Sequence, residues 1–214
     1  AGLGGLAALG LGETGLDDTK MDLFNGHLPG LFALDLSKNP AITSLSSLAG
    51  RTGLQMLVCM GDTALQDISA LAGQTAAKML LFSDTEVSSV AALAGRAAGS
   101  YFYLPNNRIT DLAAFSDASP SPLCNSAVVV TGNPLGQTAA CTQIPLLTSA
   151  GRNNSVEHDA VCGASCTLVA SVQPGADAGS VLPFTGRRHF AAGATVTLEA
   201  VQTNPLYSFS HWAG

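Results

Sequence analysis

The sequence predicts an α/β solenoid: short parallel strands stacked side by side with a 3₁₀ or irregular return on the convex side, followed by a small all-β module. Three observations predict it. A strand-like Leu-x-Leu-x-x-Asn segment recurs along the first 135 residues, and a second apolar series with a spacing of three runs in phase with it. From about Cys166 both patterns give way to alternation of period two, broken by Gly- and Pro-rich turns.

The first series begins with Leu9-Gly10-Leu11 and Thr14, then Leu34-Asp35-Leu36 and Asn39. It continues as Val58-Cys59-Met60 with Thr63, Leu80-Leu81-Phe82 with Thr85, Phe102-Tyr103-Leu104 with Asn107, and Val128-Val129-Val130 with Asn133. Each alternating triplet reads as a short strand with one face in the core. The second series is Ile42, Leu45, Leu48; Leu65, Ile68, Leu71; Val87, Val90, Leu93; and Ile109, Leu112, Phe115. Spacing of three suits a 3₁₀ return better than an α-helix. One such unit cannot bury its apolar edge alone, so units must stack. The Asn or Thr after each strand falls where the chain turns inside the stack, and its side chain can satisfy backbone groups there. Thr14, Asn39, Thr63, Thr85, Asn107 and Asn133 are therefore read as a structural ladder.

Units of this length and pattern match the leucine-rich repeat. The segments "ITSLSSLAGRTGLQ", "LQDISALAGQT" and "NNRITDLAAF" resemble the repeats of bacterial internalin-type leucine-rich-repeat proteins, over residues 1–135 in about six units. The leucine expected three residues before each strand is present as Leu6 and Leu31. Later units carry Gln55, Ala77, Gly99 and Asn125 there, with Leu54 sliding in for one of them, so their packing is expected to be thinner.

Residues 136–163 read as a C-terminal cap, in which Ile144 and Leu147 belong to a short helix and Gly151 stops it. Of the five cysteines, Cys124, Cys141, Cys162 and Cys166 cluster, which favours disulfides in an oxidising compartment over a metal site. Spacing leaves their pairing open. The resemblance to secreted bacterial leucine-rich-repeat proteins implies Cys141 with Cys162. The triplet Glu157-His158-Asp159 reads as solvated cap, because neighbours on an extended segment point to opposite faces.

Residues 166–214 resemble the divergent internalin-B-type repeat, through Val172, Pro174, Gly179, Val181, Phe190, Gly193, Val196, Thr197, Leu198, Ala200, Tyr207, Phe209, Trp212 and Gly214. Such modules act in their family as spacers on extracellular proteins. This resemblance implies an extracellular or bacterial cell-surface location. The chain begins inside a repeat without Met and stops at Trp-Ala-Gly, so it is expected to be truncated at both ends.

A net charge of −6 with only 11% charged residues argues against nucleic acid and anionic membranes as partners. No stretch of about 18 apolar residues is present to span a membrane. The four histidines are scattered, and neither a phosphate loop nor a nucleophile elbow occurs. No catalytic residue, cofactor or metal is expected. The residues flanking each first strand position line the concave face of such an array. They are Ala33 and Asp35, Leu57 and Cys59, Met79 and Leu81, Tyr101 and Tyr103, and Ala127 and Val129. The apolar and aromatic run among them predicts a surface for a protein partner, because soluble surfaces rarely keep such patches without use. Cys59 would then be an exposed thiol or a paired one. A structural spacer or adhesion stalk, or the recognition region of a larger secreted enzyme, are the alternative readings.

Overall fold

A computed structural model of the chain describes residues 5–25, 27–117 and 123–163, together with 165–170, 179–182, 186–191 and 197–202. The chain divides into two compact units, Ala1–Ala160 and Val161–Gly214.

The first unit is built on one seven-stranded parallel sheet: β1 (Ala8–Gly10), β2 (Ala33–Asp35), β3 (Met56–Val58), β4 (Met79–Leu81), β5 (Tyr101–Tyr103), β6 (Ala127–Val129) and β7 (Ser155–Glu157). The strands lie in sequence order, each hydrogen-bonded to the next. Their middle residues form one column running Leu9, Leu34, Leu57, Leu80, Phe102, Val128, Val156. From Leu34 to Val128 these side chains are fully buried. The second position of each motif, Leu36, Cys59, Phe82, Leu104 and Val130, is buried with them.

The spacing-of-three series closes the core from the other side. Ser46–Leu48, Ser69–Leu71 and Ala91–Leu93 form 3₁₀ turns, and the equivalent return of the fifth unit is a single α-turn, α2 (Ala113–Ser116). An earlier α-turn, α1 (Asp18–Met21), is N-capped by Asp17. Ile42, Leu45, Leu48, Leu65, Leu71, Val87, Leu93, Ile109 and Leu112 are wholly removed from solvent. Glycines follow three of the returns in a left-handed conformation, Gly50, Gly73 and Gly95, which side chains with a Cβ rarely adopt.

The third unit departs from the sequence reading by one residue. Leu57, expected on the open face, is the buried middle residue of β3, and Cys59 is fully buried rather than an exposed thiol. Met56 and Val58 take the outward positions. The reason is visible in the run Met56-Leu57-Val58-Cys59-Met60, which is apolar on both faces, so alternation cannot choose a phase. Neighbouring residues settle it. With Leu57 in register with Leu34, Leu54 falls three residues before it as Leu31 does before Leu34, and both are buried. No sliding is needed at Leu54; Ala77 fills the same place in the next unit, and only Gly99 and Asn125 leave it without an apolar side chain. The shift also moves the ladder position from Thr63, which is exposed, to Asp62, which is fully buried.

The segment read as cap holds the seventh strand. A five-residue π-helical turn, Ala139–Gln143, leads into α3 (Ile144–Leu147), whose Ile144 and Leu147 are buried, and β7 then joins the sheet beside β6. Gly151 between them has φ +92°.

The second unit contains two antiparallel pairs: β8 (Ser165–Ala170) with β10 (Gly186–Ala191), and β9 (Gly179–Leu182) with β11 (Glu199–Gln202). The expected motif residues Val172, Pro174, Gly193, Val196, Tyr207, Phe209, Trp212 and Gly214, and the side chain of Cys166, lie outside the described residues.

Candidate recognition surface

The geometry of the sheet is set by the buried ladder beneath it. Asn39 Oδ1 accepts from the backbone N–H groups of Thr14 (3.1 Å) and Leu16 (2.9 Å), while its Nδ2 donates to the carbonyls of Leu11 (2.9 Å) and Leu36. Asn107 repeats this: Oδ1 accepts from Thr85 Oγ1 and Val87 N (3.2 Å), and Nδ2 donates to Phe82 and Leu104 carbonyls. Asn133 Oδ1 accepts from Ile109 N at 2.9 Å, and its Nδ2 donates to Leu104 (2.8 Å) and Val130 (3.0 Å) carbonyls. Each amide thus ties its own unit to the preceding one and satisfies backbone groups that water does not reach. Thr14 is exposed and bonds Leu11 O through its hydroxyl, whereas Thr85 is buried. A hydroxyl at this position makes fewer ties than an amide.

Side chains on the opposite face of the strands point out of the sheet in register. One row runs Ala33, Met56, Met79, Tyr101, Ala127, Ser155, and the next Asp35, Val58, Leu81, Tyr103, Val129, Glu157. The centre of this face, over β3 to β5, carries six large apolar or aromatic side chains and no charge: Met56, Val58, Met79, Leu81, Tyr101 and Tyr103. Met79 is 40% exposed, Met56, Leu81 and both tyrosines are half-buried, and Val58 is buried between its neighbours. The tyrosine rings stack, with centroids 6.4 Å apart and planes at 23°. Acidic residues lie at the two ends, Asp35 on β2 and Glu157 on β7. Asp35 is held in place by bonds from Ser37 N (2.9 Å) and Ser37 Oγ (2.6 Å). Of the residues expected on this face, Asp35, Met79, Leu81, Tyr101, Tyr103 and Val129 lie on it and Leu57 does not. Met56 and Val58 belong to it, and the one-residue ambiguity of the third unit hid them.

No protein-family model matches the sequence, and no curated protein matches it. Among solved structures, the chain is similar to an internalin (inlF) from Listeria monocytogenes, with a TM-score of 0.51 and 22% identity over 69% of this chain and 38% of that one. It also aligns with internalin C2 (inlC2) from the same organism, with a TM-score of 0.42 and 20% identity over 73% of this chain and 82% of that one. The chain has an internalin-like leucine-rich-repeat fold. It spans 38% of the length of the first of these internalins.

The internalin-like array carries a second polar ladder, on its convex side, that the sequence reading missed. The residue after each Leu-Ala-Gly is long and polar: Arg51, Gln74 and Arg96. Each donates to carbonyls of the preceding unit, and Gln74 and Arg96 also to one in the return of their own unit. Arg51 bonds Phe24, His27 and Leu28 carbonyls and lies 5.8 Å from the Phe24 ring centroid. Gln74 bonds Leu48 O (2.8 Å) and Ala70 O (2.7 Å), and Arg96 bonds the carbonyls of Gln74, Leu71 (2.8 Å) and Ala92 (3.0 Å). The fourth position of that recurring tetrapeptide was the signal available in the sequence.

Cys141 and Cys162 are both disulfide-bonded, and Cys124 is half-buried. Glu157 and Asp159 are exposed and lie on the same side of their extended segment, with half-buried His158 between them; Asp159 Oδ2 accepts from Gly132 N at 2.9 Å. Among the described residues, no group of three or more His, Cys, Asp or Glu side chains is placed to hold a metal ion, and no helix is long and apolar enough to cross a membrane.

Proposed function

We propose that the chain is a recognition module of an extracellular or cell-surface bacterial protein. It binds a partner protein through the open, concave face of its repeat sheet, and it is not itself an enzyme. The observation that carries this reading is the uncharged apolar centre formed by Met56, Val58, Met79, Leu81, Tyr101 and Tyr103 between acidic ends. An apolar centre rimmed by polar residues is the anatomy of protein interfaces, and aromatic residues dominate their binding energy. Tyrosine offers large contact area while losing only two side-chain torsions on binding. Methionine adapts to an irregular partner surface. The internalin-like fold supports the reading, because stacked strands give a rigid platform for such residues.

The test is the double substitution Tyr101→Asp with Tyr103→Asp. Both rings are half-buried on the sheet surface and neither belongs to the core, so circular dichroism and melting behaviour should stay close to wild type. Immobilised wild-type chain should capture a protein from envelope or host-surface extracts that the variant loses, with affinity falling at least about a hundredfold if the pair is a hot spot. If everything the wild type captures is retained by the variant, the recognition reading fails and the array is better described as a spacer.

A further inference from the structure

The ladder position of the third unit holds Asp62 where the neighbouring units hold amides or a hydroxyl. Its Oδ1 accepts from Asn39 N at 2.6 Å, which is the bond that Asn39 Oδ1 accepts from Thr14 N one unit earlier. Asp62 Oδ1 therefore occupies the role of the amide oxygen, and Oδ2 that of the amide nitrogen. In the asparagines that nitrogen donates to the second strand residue's own carbonyl and to its counterpart in the preceding unit: Leu36 and Leu11 for Asn39, Leu104 and Phe82 for Asn107. By register, the corresponding carbonyls for Asp62 are those of Cys59 and Leu36. Asp62 is fully buried; the Cys59 thiol lies in hydrogen-bonding contact with its carboxyl, and among the described residues no backbone, amide or hydroxyl group donates to Oδ2.

A carboxylate oxygen cannot donate, so in the ionised form Oδ2 sits among acceptors with nothing to offer them. A protonated carboxyl has one O–H donor and one acceptor, the same pattern as an amide. We infer that Asp62 is an acid-tightened joint of the array: protonated, it completes the ladder between the second and third units as asparagine would, and ionised, it leaves that joint weakened.

The surrounding charges point the same way. From the preceding unit the charged neighbour is Asp35, and within its own unit the titratable neighbour is Cys59, itself buried. Lys38 runs its stem along Gly61 but places its ammonium on Glu13. In the following unit Thr85, which aligns with Asp62, is uncharged, and the acids on either side of it are engaged elsewhere, Asp84 by Asn106 and Glu86 by Arg108. Burial, with Asp35 adding to it against the bonds from Asn39 N–H and the Cys59 thiol, pushes the Asp62 carboxyl up to about 6, and burial beside Asp62 and Asp35 drives the Cys59 thiol well above its ordinary value.

The sign follows from proton linkage. A carboxyl whose folded value lies above its unfolded one takes up protons on folding between the two, so its contribution is full below about pH 4 and is lost as pH rises through about 6. Melting of the whole chain should be followed from pH 4.5 to 7.5 for wild type, Asp62→Asn and Asp62→Ala. The wild-type melting temperature, relative to Asp62→Asn at each pH, should fall by roughly 5 °C across that window. Asp62→Asn should melt above wild type at pH 7.5, and Asp62→Ala below Asp62→Asn throughout. A constant offset between wild type and Asp62→Asn overturns the inference. Direct titration of the Asp62 carboxyl by ¹³C NMR gives an independent reading on the unmutated chain, and a midpoint below about 4.5 overturns it as well.

Discussion

Replacing Phe102 by alanine is expected to destabilise the array by about 3–5 kcal/mol, among the largest effects any single substitution in the repeats should have. The ring is fully buried at the centre of β5, beneath the strand whose outer face carries Tyr101 and Tyr103. It packs on Phe115 of the return in its own unit, with centroids 4.8 Å apart and planes tilted by 35°. Its register neighbours are Leu80 and Val128, so one truncation opens a void shared by three units. Gly99, three residues before Phe102, offers no side chain to fill part of that void. The measurement is chemical denaturation, with native-state hydrogen exchange to show whether the loss is global or confined to neighbouring units. A loss below about 1 kcal/mol would show that the fifth unit does not share a continuous core with its neighbours.

Arg96→Ala should cost about 2–3 kcal/mol through a different mechanism. Arg96 is only 4% exposed and, among the described residues, has no carboxylate partner; its bonds go to three carbonyls, on two successive units. Burial lowers its guanidinium to about 10, which still leaves it charged at neutral pH. The carbonyls of Leu71 and Gln74 also accept backbone bonds, from Gln74 N and Ala77 N, and the guanidinium supplies their second bond while tying its own return to the one before. Alanine removes those ties and leaves the buried second acceptor positions without a donor. Arg96→Gln should recover part of the loss, because Gln74 serves two equivalent carbonyls one unit earlier. Melting curves of the two variants check this directly. Equal loss in both would mean that the charge matters and the bonds do not.

The framework of the fifth unit was legible in the sequence, although its return is an α-turn where the spacing of three suggested 3₁₀. Phe102, Leu104, Asn107 and Ile109 fall at their framework positions, and polar or aromatic neighbours mark the other face. The third unit was not, because Met56 to Met60 are apolar without interruption and burial there is decided by Leu54 and Asp62 on either side. The seventh strand was not either. Ser155-Val156-Glu157 carries one apolar residue and joins the sheet because β6 presents an unpaired edge to it. The convex ladder was written in the residue following each Leu-Ala-Gly, but nothing within one unit shows that an arginine or glutamine there reaches the carbonyls of the unit before it. Legibility failed wherever a residue's environment comes from the neighbouring unit and not from its own.

The ladder bonds also bear on how the array comes to be folded. The tie from Asn107 to Thr85 closes 22 residues of chain, that from Asn39 to Leu11 closes 28, and that from Asn133 to Leu104 closes 29. The entropy of closing a loop rises only with the logarithm of its length, so these closures cost nearly the same. No ladder tie requires distant parts of the sequence to find each other. An array of this kind can begin wherever one pair of units meets and grow in both directions, and its length sets how long the zipper runs, not how hard the first step is.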